Sequence, residues 1–219
     1  MLIAVSIICY HLKDLAPEFL FRLYLFKFKL DFYAVNKIGA IANMIHPLSA
    51  EEEIKHSLIT TNTVMLVAVN LTYTKVKEII DDTNVYKTII VSPSDSMPTL
   101  LKVGYYITKG RKVSVPKKSE DYLYWNDFIL KGKYYKERVL AKTASSQPAV
   151  ILHSGGTTGI PKNIVLTNGN LNAVLKQAEI AFKGVDKTDT MLSVLPLFHC
   201  FGLVVGIHVP LCLGADCVL

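Results

Sequence analysis

The first half of the chain alternates short apolar segments with amphipathic ones, and this alternation constrains the fold more than any other feature. Continuous apolar runs predict buried strands at Ala40–Ile45, Val64–Val69 and Thr88–Val91. Helical periodicity between these runs predicts helices, one of them over Thr74–Asp82. Strands that alternate with helices form right-handed βαβ units around a parallel sheet. The sequence therefore predicts an α/β fold: a partial, doubly wound parallel sheet with helices on both faces.

Local signals mark where two of the helices begin and end. Phe32–Ile38 has the pattern of a helix end, and Gly39 is its predicted stop. The Ser49–Glu52 segment has the Ser-x-x-Glu spacing of a capping box, in which a hydroxyl and a carboxylate satisfy the first free N–H groups. This box predicts a helix that runs to about Thr60.

The net positive charge is concentrated in one segment. The chain of 219 residues has a formal net charge of +6, and Lys102–Lys142 holds 11 Lys or Arg against 4 Asp or Glu. A basic segment can bind nucleic acid or an anionic surface. This one has no RNA-binding signature, and its tyrosines and prolines are typical of a solvated, loop-rich connection. We therefore expect no nucleic-acid partner.

The cysteines indicate neither a disulfide framework nor a metal site. Cys9, Cys200, Cys212 and Cys217 are scattered and form no C-x-x-C pair, and the histidines show no metal-ligand spacing. Buried free thiols in a reducing compartment are the expectation for a chain of this length. This pattern favours a cytoplasmic protein.

Residues 1–30 form an atypical apolar and basic segment, and we assign residues 31–219 to the main domain. Leu2–Tyr10 is apolar but too short to span a bilayer, and it lacks the flanks of a signal peptide. Phe19–Leu30 mixes aromatic and basic residues. Two interpretations stay open for it: a helix that lies on a membrane surface, or a helix whose apolar face packs on the domain.

The second half of the chain is organised around a loop of glycines and hydroxyl residues. Apolar runs at Ala149–Leu152 and Ile164–Leu166 flank it, which predicts a strand, a tight loop and a second strand. The loop sequence is Ser154-Gly155-Gly156-Thr157-Thr158-Gly159-Ile160-Pro161-Lys162. Glycines let backbone N–H groups line a concavity that binds oxyanions. The hydroxyls add donors, and Lys162 supplies a charge suited to phosphate.

Two common phosphate-binding patterns do not fit this loop. A P-loop ends in Gly-Lys-Ser/Thr, whereas Ile160 and Pro161 separate Gly159 from Lys162. The G-x-G-x-x-G fingerprint of dinucleotide-binding folds does not fit either. The simpler alternative is a Gly/Thr turn in a β-hairpin, with Lys162 as a solvated charge at the sheet edge.

A helix and a long uncharged segment follow the loop. Thr167 or Asn168 caps a predicted helix that ends near Gly184, and Met191–Leu195 is a predicted strand. From Thr190 to Ala215 the chain has no Asp, Glu, Lys or Arg, which is long enough for a transmembrane helix. Prolines and histidines within this segment favour instead a strand, a turn, a buried helix and a further strand.

A second motif, Leu195-Pro196-Leu197-Phe198-His199-Cys200-Phe201-Gly202, lies within the uncharged segment. A single histidine in an apolar run is commonly a core residue with satisfied hydrogen bonds. That is one interpretation of His199, and a substrate-binding role is the other.

The loop and the second motif, in this order, resemble two motifs of the adenylate-forming enzymes, which include acyl-CoA synthetases, aryl-CoA ligases, luciferases and peptide-synthetase adenylation domains. The family's loop pattern is Ser/Thr-Ser/Gly-Gly-Thr/Ser-Thr-Gly-x-Pro-Lys, and every position from Ser154 to Lys162 fits it. Asn163 departs from the glycine that usually follows. The Phe32–Ala40 segment and the His46-Pro47-Leu48 turn resemble the family's N-terminal subdomain more weakly.

The resemblance implies roles for the matched residues. The loop would bind the phosphates of ATP through Ser154, Gly155, Gly156, Thr157, Thr158, Gly159 and Lys162. The acyl pocket and the reacting carboxylate would lie beside Phe198, His199 and Gly202. We assign no catalytic residue and no metal ligand.

The implied reaction uses ATP, Mg²⁺ and coenzyme A. A fatty or aryl carboxylate attacks the α-phosphate of ATP to give an acyl-adenylate and pyrophosphate, and a thiol then displaces AMP.

The family's later Tyr-Gly-x-Thr-Glu and Thr-Gly-Asp motifs do not occur in this sequence, so the resemblance covers the N-terminal part of an AMP-binding domain. An inactive nucleotide-binding piece, or a truncated piece without function, is the alternative. We expect a small-molecule acid as partner and no transmembrane segment, with peripheral membrane contact left open.

Overall fold

The computed structural model describes residues 2–6, 32–108, 110–134, 140–155 and 161–218. The Phe19–Leu30 segment, with its two open interpretations, lies outside them. The described residues form a large sheet of seven strands in the order β5-β4-β3-β1-β2-β6-β7. These strands are β1 Leu2–Ser6, β2 Ile41–Met44, β3 Met65–Val69, β4 Lys87–Val91, β5 Tyr122–Tyr124, β6 Pro148–Ser154 and β7 Lys162–Thr167.

Helices connect the strands, and a small second sheet follows the large one. The helices are α1 at residues 32–37, α2 Glu51–Thr60, α3 Tyr73–Ile79, α4 Thr99–Thr108, α5 Trp125–Lys133, α6 Asn168–Ala181, α7 Cys200–Leu203 and α8 Val209–Leu213. A π-helical turn, Val204–His208, joins α7 to α8. The second sheet pairs β8 Thr190–Leu192 with β9 Asp216–Val218 in parallel.

The large sheet is parallel from β5 to β6, and only β7, at its edge, pairs antiparallel among the described strands. Side chains along a strand alternate between the two faces of a sheet. In β3, Val67 and Val69 belong to a core that includes buried residues of α1, α5 and α6. Leu66 and Ala68 belong to a second core, with α2 and α3. Helices therefore cover both faces, which confirms the predicted fold class.

The strand β1 lies in the middle of the sheet, between β2 and β3. Its sequence, Leu-Ile-Ala-Val-Ser, has the apolar and β-branched composition of a central parallel strand. This stretch belongs to the atypical N-terminal segment of residues 1–30, and its local sequence gives no reason to expect it inside the sheet. Its position follows from pairing with strands that are distant along the chain.

The start of α2 differs from the predicted capping box. Ala50, rather than Ser49, is the residue that precedes the helix. The Glu53 carboxylate accepts a hydrogen bond from the backbone N–H of Ala50 at 3.2 Å, so one half of the box forms. The other half does not form, because alanine has no hydroxyl to offer the first turn.

The bounds of α6 and β8 are also shorter than predicted. Thr167 is the N-cap of α6, with its hydroxyl accepting a backbone hydrogen bond at 3.2 Å. The helix ends at Ala181, because Gly184 belongs to a turn and has a positive φ of 95°. The strand β8 ends at Leu192 instead of Leu195, since it pairs with only three residues of β9.

A buried hydrogen-bond network joins β2, α2 and β6. Asn43, on β2, is 0% exposed, and its amide nitrogen lies 3.0–3.2 Å from the hydroxyls of Ser57, Thr61 and Thr63. Its amide oxygen lies 2.7 Å from Nε2 of His153 on β6. Buried polar groups are costly unless they are paired. The network therefore fixes α2 on the sheet by specific polar contacts as well as by apolar packing.

The short helix α7 packs directly on the turn that precedes it. A Cβ atom at Gly202 would lie 2.1 Å from the carbonyl oxygen of Pro196 and 2.8 Å from that of Leu195. Both neighbours are backbone atoms, so neither can rotate away. Position 202 therefore needs glycine for steric reasons.

Replacing Asn43 with alanine is expected to lower the free energy of unfolding by about 2–4 kcal/mol, because it leaves buried hydroxyls and an imidazole without their partner. Urea denaturation measures the change. The matched control is Asn84→Ala, since Asn84 is exposed and donates to Asn62 at 2.7 Å. We expect the control to cost less than about 0.5 kcal/mol. Equal losses in the two variants would show that the network does not stabilise the fold.

Gly202→Ala is expected to lower the free energy of unfolding by about 2–3 kcal/mol, because the added methyl group collides with backbone. Gly104→Ala is the control, since a Cβ atom there meets nothing within 4 Å. Alanine in that helix should stabilise the chain by about 0.5–1 kcal/mol. Thermal or urea unfolding of both variants checks the sign. A stable Gly202→Ala chain would mean that the preceding turn can move aside.

Candidate functional site

The carboxyl ends of β2 and β6 lie side by side at the same end of the large sheet. The two strands are parallel, with Met44 opposite Leu152. His46, just beyond β2, and Ser154, at the end of β6, therefore lie at the same level. Open α/β sheets bind their ligands beyond the carboxyl ends of their strands. A ligand site is therefore expected at this end of the sheet.

The strands β6 and β7 form the predicted strand, loop and strand. They pair antiparallel, with Ser154 opposite Lys162 and His153 opposite Asn163. Residues directly opposite each other share a face of the sheet. The hairpin therefore presents a hydroxyl and a cation side by side at the two ends of the loop. Ser154 is half-buried, and Lys162 is exposed.

Four predicted phosphate contacts, Gly156, Thr157, Thr158 and Gly159, lie outside the described residues. Gly155 is described and exposed, and a Cβ atom built on it would meet no atom of the described residues within 4 Å. A ligand can therefore approach the backbone at this position. Within the described ranges Lys162 makes no ion pair. Its charge is thus available to an anion.

A cleft that is open to solvent lies beside the hairpin. Its walls come from the turn after β2, from α2 and from the α2 face of the hairpin. They consist of Ile45, His46, Ser49, Glu53, His56, Ser57, His153, Pro161 and Asn163. The residues next to Ser154 and Lys162 therefore share one cleft with His46, while Ser154 and Lys162 themselves are not among its walls.

Two histidines of the cleft are neutral at pH 7. Partial burial lowers the pKa of His46, and the Glu53 carboxylate acts in the opposite direction. Burial also lowers the pKa of His153, while the hydrogen bond that its ring makes to the Asn163 side chain opposes this shift. Burial has this effect because it removes the water that stabilises a charged imidazolium. The positive charge next to the loop therefore comes from Lys162.

The structure packs Phe198 against His46, which lines the cleft, and it gives Gly202 and His199 local roles. The ring centroids of Phe198 and His46 are 4.2 Å apart. His199 is exposed and caps α7, with its Nδ1 accepting a backbone N–H hydrogen bond at 3.3 Å. The interpretation of His199 as a buried core residue is therefore wrong. Gly202 is buried against the carbonyl of Pro196.

The buried histidine of the uncharged segment is His208, which lies on the π-helical turn. Its Nδ1 is 3.2 Å from the Tyr33 hydroxyl. Burial lowers the pKa of His208 and raises the pKa of Tyr33, so both groups stay neutral. This contact holds α1 against the segment after α7 and is structural.

Sequence reasoning missed His153, Asn43 and Ser57 as residues that support the site. His153 stands immediately before Ser154, so its side chain lies on the opposite face of the strand from that of Ser154. This alternation is the one sequence signal for the position of His153. Its partners Ser57 and Asn43 are 96 and 110 positions away along the chain. No local pattern indicates contacts at that separation.

The described residues lack a group of three His, Cys, Asp or Glu side chains that could hold a metal ion. None of the helices in those ranges has the length and apolar character to cross a lipid bilayer. Cys200, Cys212 and Cys217 are free thiols, and Cys9 lies outside the described residues. Cys200 and Cys212 are exposed, so the expectation that the thiols are buried is wrong for these two.

Acid is expected to destabilise the chain through His153. Its pKa in the folded chain lies below the ordinary value of 6.5, so its contribution to stability is complete above that pH and is lost as the pH falls through the folded value. We expect the free energy of unfolding to decrease from about pH 7.5 to about pH 5.5, and His153→Gln to weaken this dependence. Urea unfolding at each pH is the measurement. His199→Gln, at an exposed position, is the control and should retain the wild-type pH dependence. The same slope in His153→Gln would contradict the assignment.

The family model described as "AMP-binding enzyme" matches residues 29–219. Among curated relatives, human long-chain-fatty-acid–CoA ligase ACSBG2 is 35% identical over 106 residues, which are 46% of this chain and 16% of that protein. The long-chain-fatty-acid–CoA ligase of Yersinia pestis is 27% identical over 192 residues, which are 83% of this chain and 33% of that protein. The chain thus spans a third or less of the length of these relatives.

Solved structures show the same fold. The anthranilate CoA ligase AuaEII in complex with anthranoyl-AMP has a TM-score of 0.68 at 21% identity, over 86% of this chain and 32% of its own. ATP-bound MatB from Rhodopseudomonas palustris has a TM-score of 0.65 at 14% identity, over 99% of this chain and 34% of its own. The family match over residues 29–219 shows that the chain belongs to the AMP-binding enzymes, the adenylate-forming family.

Proposed function

We propose that this chain supplies the phosphate-binding part of an acid–thiol ligase, which activates a carboxylic acid as an acyl-adenylate and then as a coenzyme A thioester. The observation that carries the proposal is the pairing of Ser154, at the carboxyl end of β6, with Lys162. The names of the relatives support a long-chain fatty acid as the substrate class. The anthranoyl-AMP complex supports an aryl acid as the alternative.

The two ends of the loop would hold phosphate oxygens of ATP from two sides. Ser154 contributes a hydroxyl donor, and Gly155, which has no side chain of its own, contributes a backbone N–H. Lys162 contributes a positive charge without a competing ion pair in the described part of the chain. In this proposal Gly156, Thr157, Thr158 and Gly159 complete the loop. Positioning and charge stabilisation are what such transfers require of a protein.

Mg²⁺ would enter this site with the nucleotide. The described residues offer no cluster of carboxylates or histidines for the ion. Magnesium commonly keeps several waters and binds through substrate phosphates with one or two protein carboxylates. The chain's own part is therefore to hold the phosphate oxygens, while the ion offsets their charge.

The acid would lie beyond the phosphates, next to the second motif. Phe198 supplies an apolar ring that already packs on His46 of the cleft. Gly202 fixes the backbone of α7 against the preceding turn, and His199, at the start of that helix, would approach the reacting carboxylate. A reaction that uses ATP and coenzyme A also favours a cytoplasmic location.

Nucleotide binding without turnover is the second candidate function. It rests on the phosphate contacts at the two ends of the loop alone, Ser154, Gly155 and Lys162, and requires nothing of the acid side. Release of AMP from ATP upon addition of a long-chain fatty acid and coenzyme A distinguishes the two candidates. Binding of ATP in the absence of AMP release would support the second.

Lys162→Ala is expected to weaken the affinity for ATP·Mg²⁺ by roughly ten- to a hundredfold, since a hydrogen bond to a charged group contributes about 1.5–3 kcal/mol. Gly155→Val should also weaken binding, because its side chain would cover the backbone without meeting other atoms of the fold. Titration calorimetry on the purified chain measures both. Lys183→Ala, at an exposed lysine outside the hairpin, is the control and should bind as the wild type does.

Two outcomes would overturn the proposed function. One is a folded wild-type chain that binds neither ATP·Mg²⁺ nor pyrophosphate·Mg²⁺. The other is saturable binding that Lys162→Ala and Gly155→Val leave unchanged, because the nucleotide would then occupy another place.

A further inference from the structure

The two residues that flank the loop ends share a face of the hairpin. His153 precedes Ser154, Asn163 follows Lys162, and the two are directly opposite each other in the β6–β7 pairing. Successive side chains of a strand point to opposite faces. His153 and Asn163 therefore lie on the face away from Ser154 and Lys162, and this is the face that meets α2.

His153 makes the buried half of the contact with the domain. Its Nε2 lies 2.7 Å from Oδ1 of Asn43 and 3.1 Å from the hydroxyl of Ser57. An amide oxygen only accepts hydrogen bonds, so Nε2 carries the proton. Asn43 is 0% exposed and Ser57 is 4% exposed, so water cannot replace these partners. The imidazole is therefore held in one orientation next to the loop.

Asn163 makes the exposed half of the contact. Its Nδ2 donates to the hydroxyl of Thr60 at 3.0 Å, and that hydroxyl donates in turn to the His56 carbonyl at 2.8 Å. Asn163 thus reaches the last turn of α2, the same turn that carries Ser57. Glycine, the usual family residue at this position, has no side chain to make such a bond. Asn163, which stands in place of that glycine, therefore lies where a side chain can connect β7 to α2.

We propose that His153 and Asn163 are positioning residues of the phosphate loop. They fix both strands of the hairpin to the last turn of α2, so that Ser154 and Lys162 keep their separation and direction before a phosphate arrives. Such preorganisation raises affinity because it reduces the conformational freedom that is lost when the ligand binds. The identity of the ligand rests on the proposed function, whereas the fixing of the hairpin does not.

The exposed contact offers the sharper test, because variants of Asn43 or Ser57 can fail to fold. Asn163→Ala and Thr60→Val should each weaken the affinity of the full chain for pyrophosphate·Mg²⁺ by about three- to tenfold. The double variant should bind no more weakly than Asn163→Ala alone, since Asn163→Ala already removes the bond to Thr60. Thr60→Ser keeps the hydroxyl and should bind as the wild type does. Additive losses, or a loss in Thr60→Ser equal to that in Thr60→Val, would overturn the proposal.

Two matched controls remove similar bonds elsewhere. Asn84→Ala deletes an exposed amide that donates to Asn62, and Thr108→Val deletes a hydroxyl that donates to the Gly104 carbonyl at the end of α4. Neither should change pyrophosphate affinity. Weaker binding in these controls would attribute the effect to general destabilisation and overturn the proposal.

Hydrogen exchange in the ligand-free chain separates a failure of this inference from a failure of the proposed function. In Asn163→Ala and Thr60→Val, the amides of Ser154 and Lys162 should exchange about three- to tenfold faster than in the wild type. The amides of Leu66 and Val67, in β3, should keep their rates. Unchanged exchange at the hairpin, or an equal increase in β3, would overturn the inference. Faster exchange at the hairpin alone, in a wild-type chain without pyrophosphate affinity, would support the inference and overturn the proposed function.

Discussion

The hydrogen bond between Asn43 and His153 joins the parts of the molecule on which the candidate site depends. It spans 110 positions of the chain and connects β2 to β6 at 2.7 Å. Through Ser57 the same group of polar side chains holds α2. A buried amide whose donors and acceptor are all used specifies one arrangement, because any shift would leave a polar group unpaired in the core. The phosphate loop therefore starts from a strand whose last residues cannot slide or turn without breaking buried bonds.

The loop motif, Ser154–Lys162, and the second motif, Leu195–Gly202, both adjoin the turn at His46-Pro47. The His46-Pro47 turn follows β2 and lines the same cleft as Pro161, at the end of the loop. On its other side the His46 ring packs on Phe198 of the second motif at 4.2 Å. In the proposed function, the turn would lie between the phosphate side and the acid side of the site. Because burial lowers the pKa of the His46 imidazole, the turn would separate the two sides by packing and hydrogen bonding rather than by charge.

The parts of the fold that the sequence predicts are those with local signals. Apolar runs gave the strands β2 to β4, and a glycine loop between two apolar runs gave the hairpin of β6 and β7. The central place of Leu2–Ser6 had no such signal, because only pairing with distant strands puts it there. The roles of His153 and Asn163 were likewise hidden, since their partners on β2 and α2 are about a hundred positions away. The phosphate loop could be proposed from its composition, whereas what supports it could only be read from the fold.

Charge beside the far edge strand contributes little at the loop. The basic Lys102–Lys142 segment contains β5, which is one edge strand of the large sheet, and the hairpin strand β7 is the opposite edge. Six strand spacings of about 4.8 Å place these edges roughly 29 Å apart. The screening length at physiological salt is about 8 Å, so a cation beside β5, such as Lys118 over the Tyr124 ring, has little effect at the hairpin. In the proposed function, affinity for a phosphate group would therefore rest on Lys162 and the backbone donors beside it, and on the contacts that hold them in place.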